Sequence, residues 1–461
     1  MRNKIFIILV SILIISTFNS CEKELEIDPN SALIATTAFK TVNDLQNALN
    51  SAYRDYNNET IAFNSIFTDN TKVGKDNGGQ ELTRHRLVMD PSSGTPLNIW
   101  VSRYSIINKV NRIIEASELI DKTGHEKEVN HILGQCYALR AFAHFELYQY
   151  FTPDYEDENG VSVPAVDFIV TVENLPRNTV GEVFTLIEND LTKASELLDS
   201  SKTDNKYVTN DFITALKARM YLFKGDYVKA KDNAQTLIKK YELANPVQYR
   251  NMYLDFDETE VIFKSARVVG DAAPGYIWHF SGGGPFIEMS NSLYNILDPS
   301  DIRYEVLFNV AESDPSTNYH LINKYPGTSN EFLADFKVFR VSEMFLIKAE
   351  VQIRDNQLKD AKNTIKLLRD KRFGTSTDLP SFNSVNSGLD YLLQERRIEL
   401  AYEGHRYLDL KRLKRDLIRD DLDCGNLENA CELLSSDRRF TLPIPLSEMN
   451  ANDLMEQNPG Y

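Results

Sequence analysis

The chain has 461 residues, 42% of them hydrophobic and 26% charged, an ordinary balance for a folded protein with a large core. Its 67 acidic against 51 basic residues give a formal net charge of −16, which repels phosphate backbones and argues against nucleic acid as a partner. No low-complexity tract argues for long disorder.

At the N-terminus Arg2 and Lys4 precede the apolar run "IFIILVSILIIS", which is too short for a comfortable membrane span and gives way to small polar residues. That is the form of a secretory signal over residues 1–20. Cys21 follows directly in "FNSC" and resembles the acylated cysteine of a bacterial lipoprotein: Ser20 fits the small position before it, while Phe18 departs from the usual leucine. Glu22, Glu24 and Glu26 come next, and "CEKELEIDPN" resembles the acidic export signal of Bacteroidetes surface lipoproteins. The expectation is a lipidated Cys21, a polar tether over 21–37 and a body over 38–461. Loss of Arg2 and Lys4 with the signal carries the net charge from −16 to −18.

The first predicted helix follows from Phe39, Val42, Leu45, Leu49, Ala52 and Tyr53, which recur at threes and fours. Trp100, Tyr104, Ile107, Val110 and Ile114 predict a second, with Trp100 in the core, and Ile132 to Tyr150 a third. In "HEKEVNH" the histidines, His125 and His131, stand six apart and point to different helix faces, so the zinc-protease arrangement does not arise. "GQCYALRAFAHFELYQYF", with Ala141 and Ala143, reads as the first helix of a repeat, and its Cys136 as a buried thiol. The partner helix, "VFTLIENDLTKASELL", comes only after an insertion containing "TPDYEDENGVSVP", whose carboxylates miss the calcium-loop register. Two later segments share a helix–turn–helix frame with alanines twelve apart, Ala218 with Ala230 and Ala349 with Ala361. Small residues there let antiparallel helices approach closely, as tetratricopeptide repeats require.

Between Glu242 and Glu343 the pattern changes: "EVIFKSARVV" is strand-like, and "GDAAPGYIWHFSGGGPFIEMS" is an irregular stretch rich in glycine and aromatics. Further on, "ERRIELAYEGHRYLDLKRLK" crowds Glu399, Glu403, His405, Arg406 and Asp409 together. These groups read as scaffolding at a helix junction, with Glu399 and Glu403 in reach of Arg396, Arg406 in reach of Asp409, and Gly404 as the stop of the first helix. Cys424 and Cys431, in "CGNLENAC", are close enough for a small-loop disulfide. The chain carries no phosphate-binding loop and no nucleophile elbow, so a binding protein without cofactor or metal is expected rather than an enzyme.

The same "ERRIELAYEGHRYLDLKRLK", with "LRAFAHFELYQYF", "FRVSEMFLIKAEVQIR", the closing "IPLSEMNANDLMEQNPGY" and Cys21, resembles the SusD/RagB family of outer-membrane nutrient-binding lipoproteins. Tyr407 stands where the family often has tryptophan. The resemblance implies a mostly α fold, a tetratricopeptide-like platform with an irregular ligand-binding part and little β, split here into an N-terminal region of about 38–240 and a C-terminal region of about 241–461. It also implies a SusC-like TonB-dependent transporter as partner, and an oligosaccharide, or in some members a peptide, as ligand. A tetratricopeptide adaptor for another protein is the rival class. Sugar faces stack on rings while polar groups hold hydroxyls. Trp278, with Tyr276, His279 and Phe286, therefore forms the aromatic candidate set, and Gly282 to Gly284 would admit a ligand to the backbone. The early loop "FTDNTKVGKDNGGQE" adds Asp69, Asn70, Lys72 and Asp76.

Overall fold

Helix α1 (Val42–Arg54) begins where Thr41 and Asp44 cap each other's backbone amides, and it buries Val42, Leu45, Leu49 and Ala52. This is a computed structural model, describing residues 39–279, 285–327, 332–425, 427 and 430–461. The expected anchor at Cys21, its tether and Gly282 to Gly284 lie outside the described residues. Helix α2 (Glu59–Ile66) is buried on every side, so no apolar stripe announces it. Its polar residues are tolerated because they are bonded: the Asn64 amide donates to the Tyr150 hydroxyl oxygen at 2.7 Å and Ser65 to the Ile61 carbonyl at 2.7 Å. Strand β1 (Thr71–Val73) follows, then α3 (Gly94–Ala116) and α4 (Glu126–Phe151).

The platform consists of antiparallel helix pairs. Helix α4 packs on α5 (Val180–Leu197) across the insertion, α6 (Asn210–Lys224) on α7 (Tyr227–Ile238), and α10 (Val341–Arg354) on α11 (Leu358–Phe373). Ala218, Ala230, Ala349 and Ala361 are all fully buried in these seams, and α7 packs on α10, stacking the second pair on the third. The helical expectation and the repeat frame hold.

Helix α8 (Pro246–Met252), strand β2 (Val261–Ser265), strand β3 (Ile287–Met289) and α9 (Ile302–Leu307) belong to the irregular part. Strand β4 (Phe336–Arg340) pairs with β2, and β1 pairs with β3, both antiparallel. "FRVSEMFLIKAE" is therefore strand for its first residues and helix only from Val341. The sequence ends through α12 (Val385–Glu399), α13 (Arg406–Arg412), the short pair β5 (Leu417–Ile418) and β6 (Glu432–Leu433), and α14 (Leu446–Ala451). Cys424 and Cys431 are joined as a disulfide, while Cys136 is a buried free thiol. Tyr407 packs its ring 4.6 Å from Phe63 and 5.6 Å from Phe440, filling an aromatic core position as a tryptophan would.

Within α4 the neutral form of His144 is specified by two backbone partners: Nδ1 donates to the Arg140 carbonyl at 2.9 Å, and Nε2 accepts the Val166 amide at 3.0 Å. Burial pushes its pKa down to about 3. The unfolded chain takes up this proton near the ordinary histidine pKa of about 6.5, so stability falls as pH drops from there towards the folded value, by roughly 2 kcal/mol at pH 5. Thermal midpoints recorded from neutral to pH 5 should therefore fall less steeply in His144→Gln than in the parent protein. Equal slopes would show that this histidine does not carry the dependence.

Candidate functional site

The charged signature forms a buried lattice. Arg340 reaches both oxygens of Glu403 at 2.8 and 2.9 Å, and its Nη1 lies 2.9 Å from both Glu260 and Glu399. Arg372 binds Glu399 at 2.8 Å and Glu260 at 2.7 Å, and Arg303 binds Glu395 at 2.6 Å and Glu399 at 3.2 Å. Burial alone would raise the Glu399 pKa, but the Arg372 and Arg340 guanidinium groups outweigh it and hold the carboxyl far below the usual range. Glu403 is likewise held down to about 2 against burial, by Arg340 and Lys324. With side chains 0% and 1% exposed, Glu399 and Glu403 cannot touch a substrate, and they act as scaffolding.

The detailed pairing differs from the local expectation. Helix α12 stops at Glu399, Tyr402 takes φ 63° and Gly404 φ 87°, so Gly404 forms the turn into α13 rather than the cap of α12. Glu403 is then off the helix and faces Arg340 instead of Arg396. Arg406 does not pair with Asp409: it grips Asp69 with two bonds at 2.8 and 2.7 Å, while Asp409 takes Arg396 at 2.8 Å and Arg412 at 2.9 Å. Each of these charges has a partner on another element, and Asp409 also keeps Arg412 of its own helix.

From this lattice the loop contacts extend outward. Lys324 places its ammonium 2.8 Å from Glu403, and its carbonyl accepts the Trp278 indole N–H at 2.6 Å and His279 Nε2–H at 3.0 Å. Trp278 is only 5% exposed and lies 5.0 Å from the Tyr402 ring. The expectation of an open tryptophan platform is corrected here: this indole plugs the core and pins the loop, because its N–H has a buried acceptor and its ring an aromatic neighbour.

Strand pairing explains the early loop. Register Thr71 to Met289 and Val73 to Ile287 draws residues 69–72 beneath the surface. Asp69 is clamped by Arg397 and Arg406, which outweigh burial and lower its pKa. Asn70 Oδ1 accepts from Arg397 Nε at 3.0 Å, and Lys72 sits 3.6 Å from Glu288 and donates to the Asn318 carbonyl. Asp69, Asn70 and Lys72 are therefore internal, a correction to their reading as ligand-facing groups, and only Asp76 of that set is exposed. Gly74 is required where the backbones cross, since a Cβ there would meet the Pro285 carbonyl oxygen at 2.1 Å.

What remains on the outside is a smaller constellation. Tyr276 is 49% exposed, and its ring meets Phe332 edge-on at 6.3 Å. His279 stacks on the same Phe332 at 5.2 Å, half-buried. Phe286 is half-buried beside the early loop, its carbonyl accepting the Gly74 amide at 2.9 Å and the Asn77 side chain at 2.8 Å. Lys75 and Asp76 are exposed nearby, with the Lys75 ammonium 5.5 Å over the Tyr319 ring. The two predicted loops thus meet through β1 and β3. Sequence reading missed Phe332 and Tyr319. Phe332 takes φ 48°, unusual for so bulky a residue, and only the folded backbone reveals it.

Among the described residues, three potential metal ligands converge only at Asp421, Cys424 and Cys431, and there the two sulfurs are bonded to each other. No described helix is long and apolar enough to cross a membrane.

Two family models cover different parts of the chain: the SusD family over residues 309–461, and a SusD-like model described as "Starch-binding associating with outer membrane" over 24–222. The chain belongs to the SusD/RagB family. SusD-like protein P2 of Formosa agariphila is 25% identical over 98% of both chains, and SusD-like protein P38 of the same organism is 26% identical over 99% of this chain and 98% of its own. Among solved structures, a SusD superfamily protein from Bacteroides thetaiotaomicron VPI-5482 superimposes with a TM-score of 0.78 at 25% identity, covering 91% of this chain and all of its own. Another from Bacteroides vulgatus ATCC 8482 gives 0.78 at 26% identity and covers 92% of this chain. In this SusD/RagB chain the buried lattice joins β4, α11 and α12, and the Tyr276–Phe332–His279 group is carried on the loops.

Proposed function

We propose that this SusD/RagB chain is a non-catalytic surface lipoprotein, anchored through Cys21, that captures an oligosaccharide and hands it to a SusC-like TonB-dependent transporter. The observation that supports a glycan is the exposed Tyr276 ring, braced by Phe332 and flanked by His279; the early loop adds the exposed Lys75 and Asp76. A flat ring supplies a sugar-stacking face, and charged and amide groups bind hydroxyls. The family description of starch binding and outer-membrane association over residues 24–222 points the same way. Trp278 and Asp69, Asn70 and Lys72 act here as positioning residues that hold the two loops in register.

A calorimetric screen of neutral polysaccharides, their oligosaccharides and mixed peptides tests the reading. One glycan class is expected to bind, and Tyr276→Ala should weaken it about tenfold, the loss of one well-stacked ring. Asp76→Asn should weaken it less. Peptide binding untouched by Tyr276→Ala would move the site elsewhere and replace the glycan with a peptide. Copurification with a large barrel protein is the expected sign of the transporter partner.

A further inference from the structure

The β1–β3 ladder has two unlike ends. Its register sets Thr71 opposite Met289 and Val73 opposite Ile287, so residues 66–70 and 290–292 leave together at one end. The exposed Lys75 and Asp76 and the half-buried Phe286 leave at the other. Three residue pairs are marginal for a strand pair on its own, so contacts at its ends decide how firmly the early loop is held.

The inner end is gripped by a segment from far along the chain, the hairpin of β5 and β6. Asp423, 5% exposed, accepts the backbone amides of Asn291 at 2.7 Å and Ser292 at 3.2 Å, and the Asn291 side-chain amide at 2.8 Å. Arg419, also buried, donates to the carbonyls of Ile66 at 3.1 Å, Thr68 at 2.9 Å and His85. The same guanidinium reaches the Ala430 carbonyl at 3.1 Å, and the Arg419 amide reaches the Cys431 carbonyl at 2.8 Å. The β3 side of the ladder is thus held from residue 423, and the β1 side from residues 419, 430 and 431. The disulfide joins Cys424 to Cys431, and so ties the two grips together. Without it, the arms of the hairpin meet mainly through a ladder of two residue pairs, Leu417 with Leu433 and Ile418 with Glu432. Arg397 of α12 bridges the same two segments, bonding the Asp69 carbonyl and Ser292 Oγ, so loosening rather than unfolding is expected when the hairpin opens.

We propose that the Cys424–Cys431 hairpin is a redox-sensitive clasp on the β1–β3 ladder, and that its reduction by a dithiol frees the ladder's inner end and loosens the early loop. The proposal does not rest on the glycan reading. Cys424 is 2% exposed and Cys431 half-buried, so the bridge is approached from Cys431. A thiolate of the dithiol attacks the Cys431 sulfur, the S–S bond breaks, and Cys424 leaves as a thiolate. An Asp421 carboxylate oxygen lies within 4.8 Å of both sulfurs, which disfavours that anion in place, so it takes a proton from water. The second sulfur of the dithiol then displaces Cys431 from the mixed disulfide. Two electrons pass to the protein, which ends with two thiols, and the dithiol ends as a cyclic disulfide.

Hydrogen exchange on the full chain in detergent, before and after dithiothreitol, tests the clasp, with alkylation of Cys424 and Cys431 confirming reduction. The Asn291 and Ser292 amides and the segment 69–76 should exchange about tenfold faster once reduced, as removal of a restraint on a locally opening unit implies. The seams of α6 with α7 and α10 with α11 should keep their rates. Asp423→Ala in the oxidised protein should speed the same two amides with the bridge intact. The double variant Cys424→Ser with Cys431→Ser should show the fast rates and no response to dithiothreitol. If that variant does not fold, the reduced parent protein still decides. Unchanged exchange at 291–292 and 69–76 after confirmed reduction would overturn the proposal, and so would equal loosening of the helix seams. A bridge that dithiothreitol leaves intact in the folded protein would overturn it as well.

Discussion

Glu399→Ala should cost the fold about 3–5 kcal/mol, the penalty for stranding buried charge, and the upper end is expected because three guanidinium groups lose a partner. Arg340, Arg372 and Arg303 all bond this carboxylate, and none is more than 1% exposed, so water cannot replace it without opening the junction of α12 and β4. Glu399→Gln keeps the volume and one acceptor oxygen, and should be less damaging than alanine but still strongly destabilising. Urea unfolding followed by circular dichroism measures both. A midpoint within error of the parent protein for Glu399→Ala would mean that the lattice is energetically idle. Acid probes the same lattice. The Glu403 contribution is whole above the unfolded pKa near 4.5 and is lost as pH falls through the folded value of about 2.

Trp278→Ala carries the second large effect, about 3–5 kcal/mol, as expected for an aromatic removed from a packed interior. The indole leaves a void against Tyr402 and takes away one of the donors to the Lys324 carbonyl. Trp278→Phe separates these contributions, since it retains most of the packing and loses only the N–H. It should cost about 0.5–1.5 kcal/mol, the net worth of one hydrogen bond, because His279 still donates to the Lys324 carbonyl. Tyr276→Ala, two residues earlier, should barely move the unfolding midpoint, because half of that ring already faces water. If Trp278→Ala unfolds like the parent protein yet loses glycan binding, the indole is a ligand platform after all and the buried placement is wrong.

These contrasts show what the sequence made legible. The repeat frame was readable because Ala218, Ala230, Ala349 and Ala361 mark helix seams by spacing alone, and all four are buried. Helix α2 was not readable: Thr60, Asn64 and Ser65 are buried as polar groups, which erases the apolar period. Of the candidate rings, Tyr276 is exposed, whereas Trp278 is interior although composition recommended it more strongly. Side-chain chemistry names what could bind, but exposure depends on partners distant in sequence. For Trp278 that partner is the Lys324 carbonyl, and for Asp69 it is Arg406. Neither can be inferred from local spacing. The charged signature was legible as scaffolding but not in its pairings, since Arg340 and Arg372 come from elements far from Glu399.

The pairing of β1 with β3 has a consequence for biogenesis. The Lys75 amide bonds the Glu288 carboxylate across 213 residues of chain. At roughly 5–20 residues per second, synthesis alone separates these two segments by some ten seconds or more. Throughout that interval β1 is a strand without a mate, the kind of edge that templates aggregation. Its length of three residues and its central Lys72 are suited to that wait. A brief, charged strand offers little for another nascent chain to zip onto, yet suffices to close the surface once Glu288 arrives.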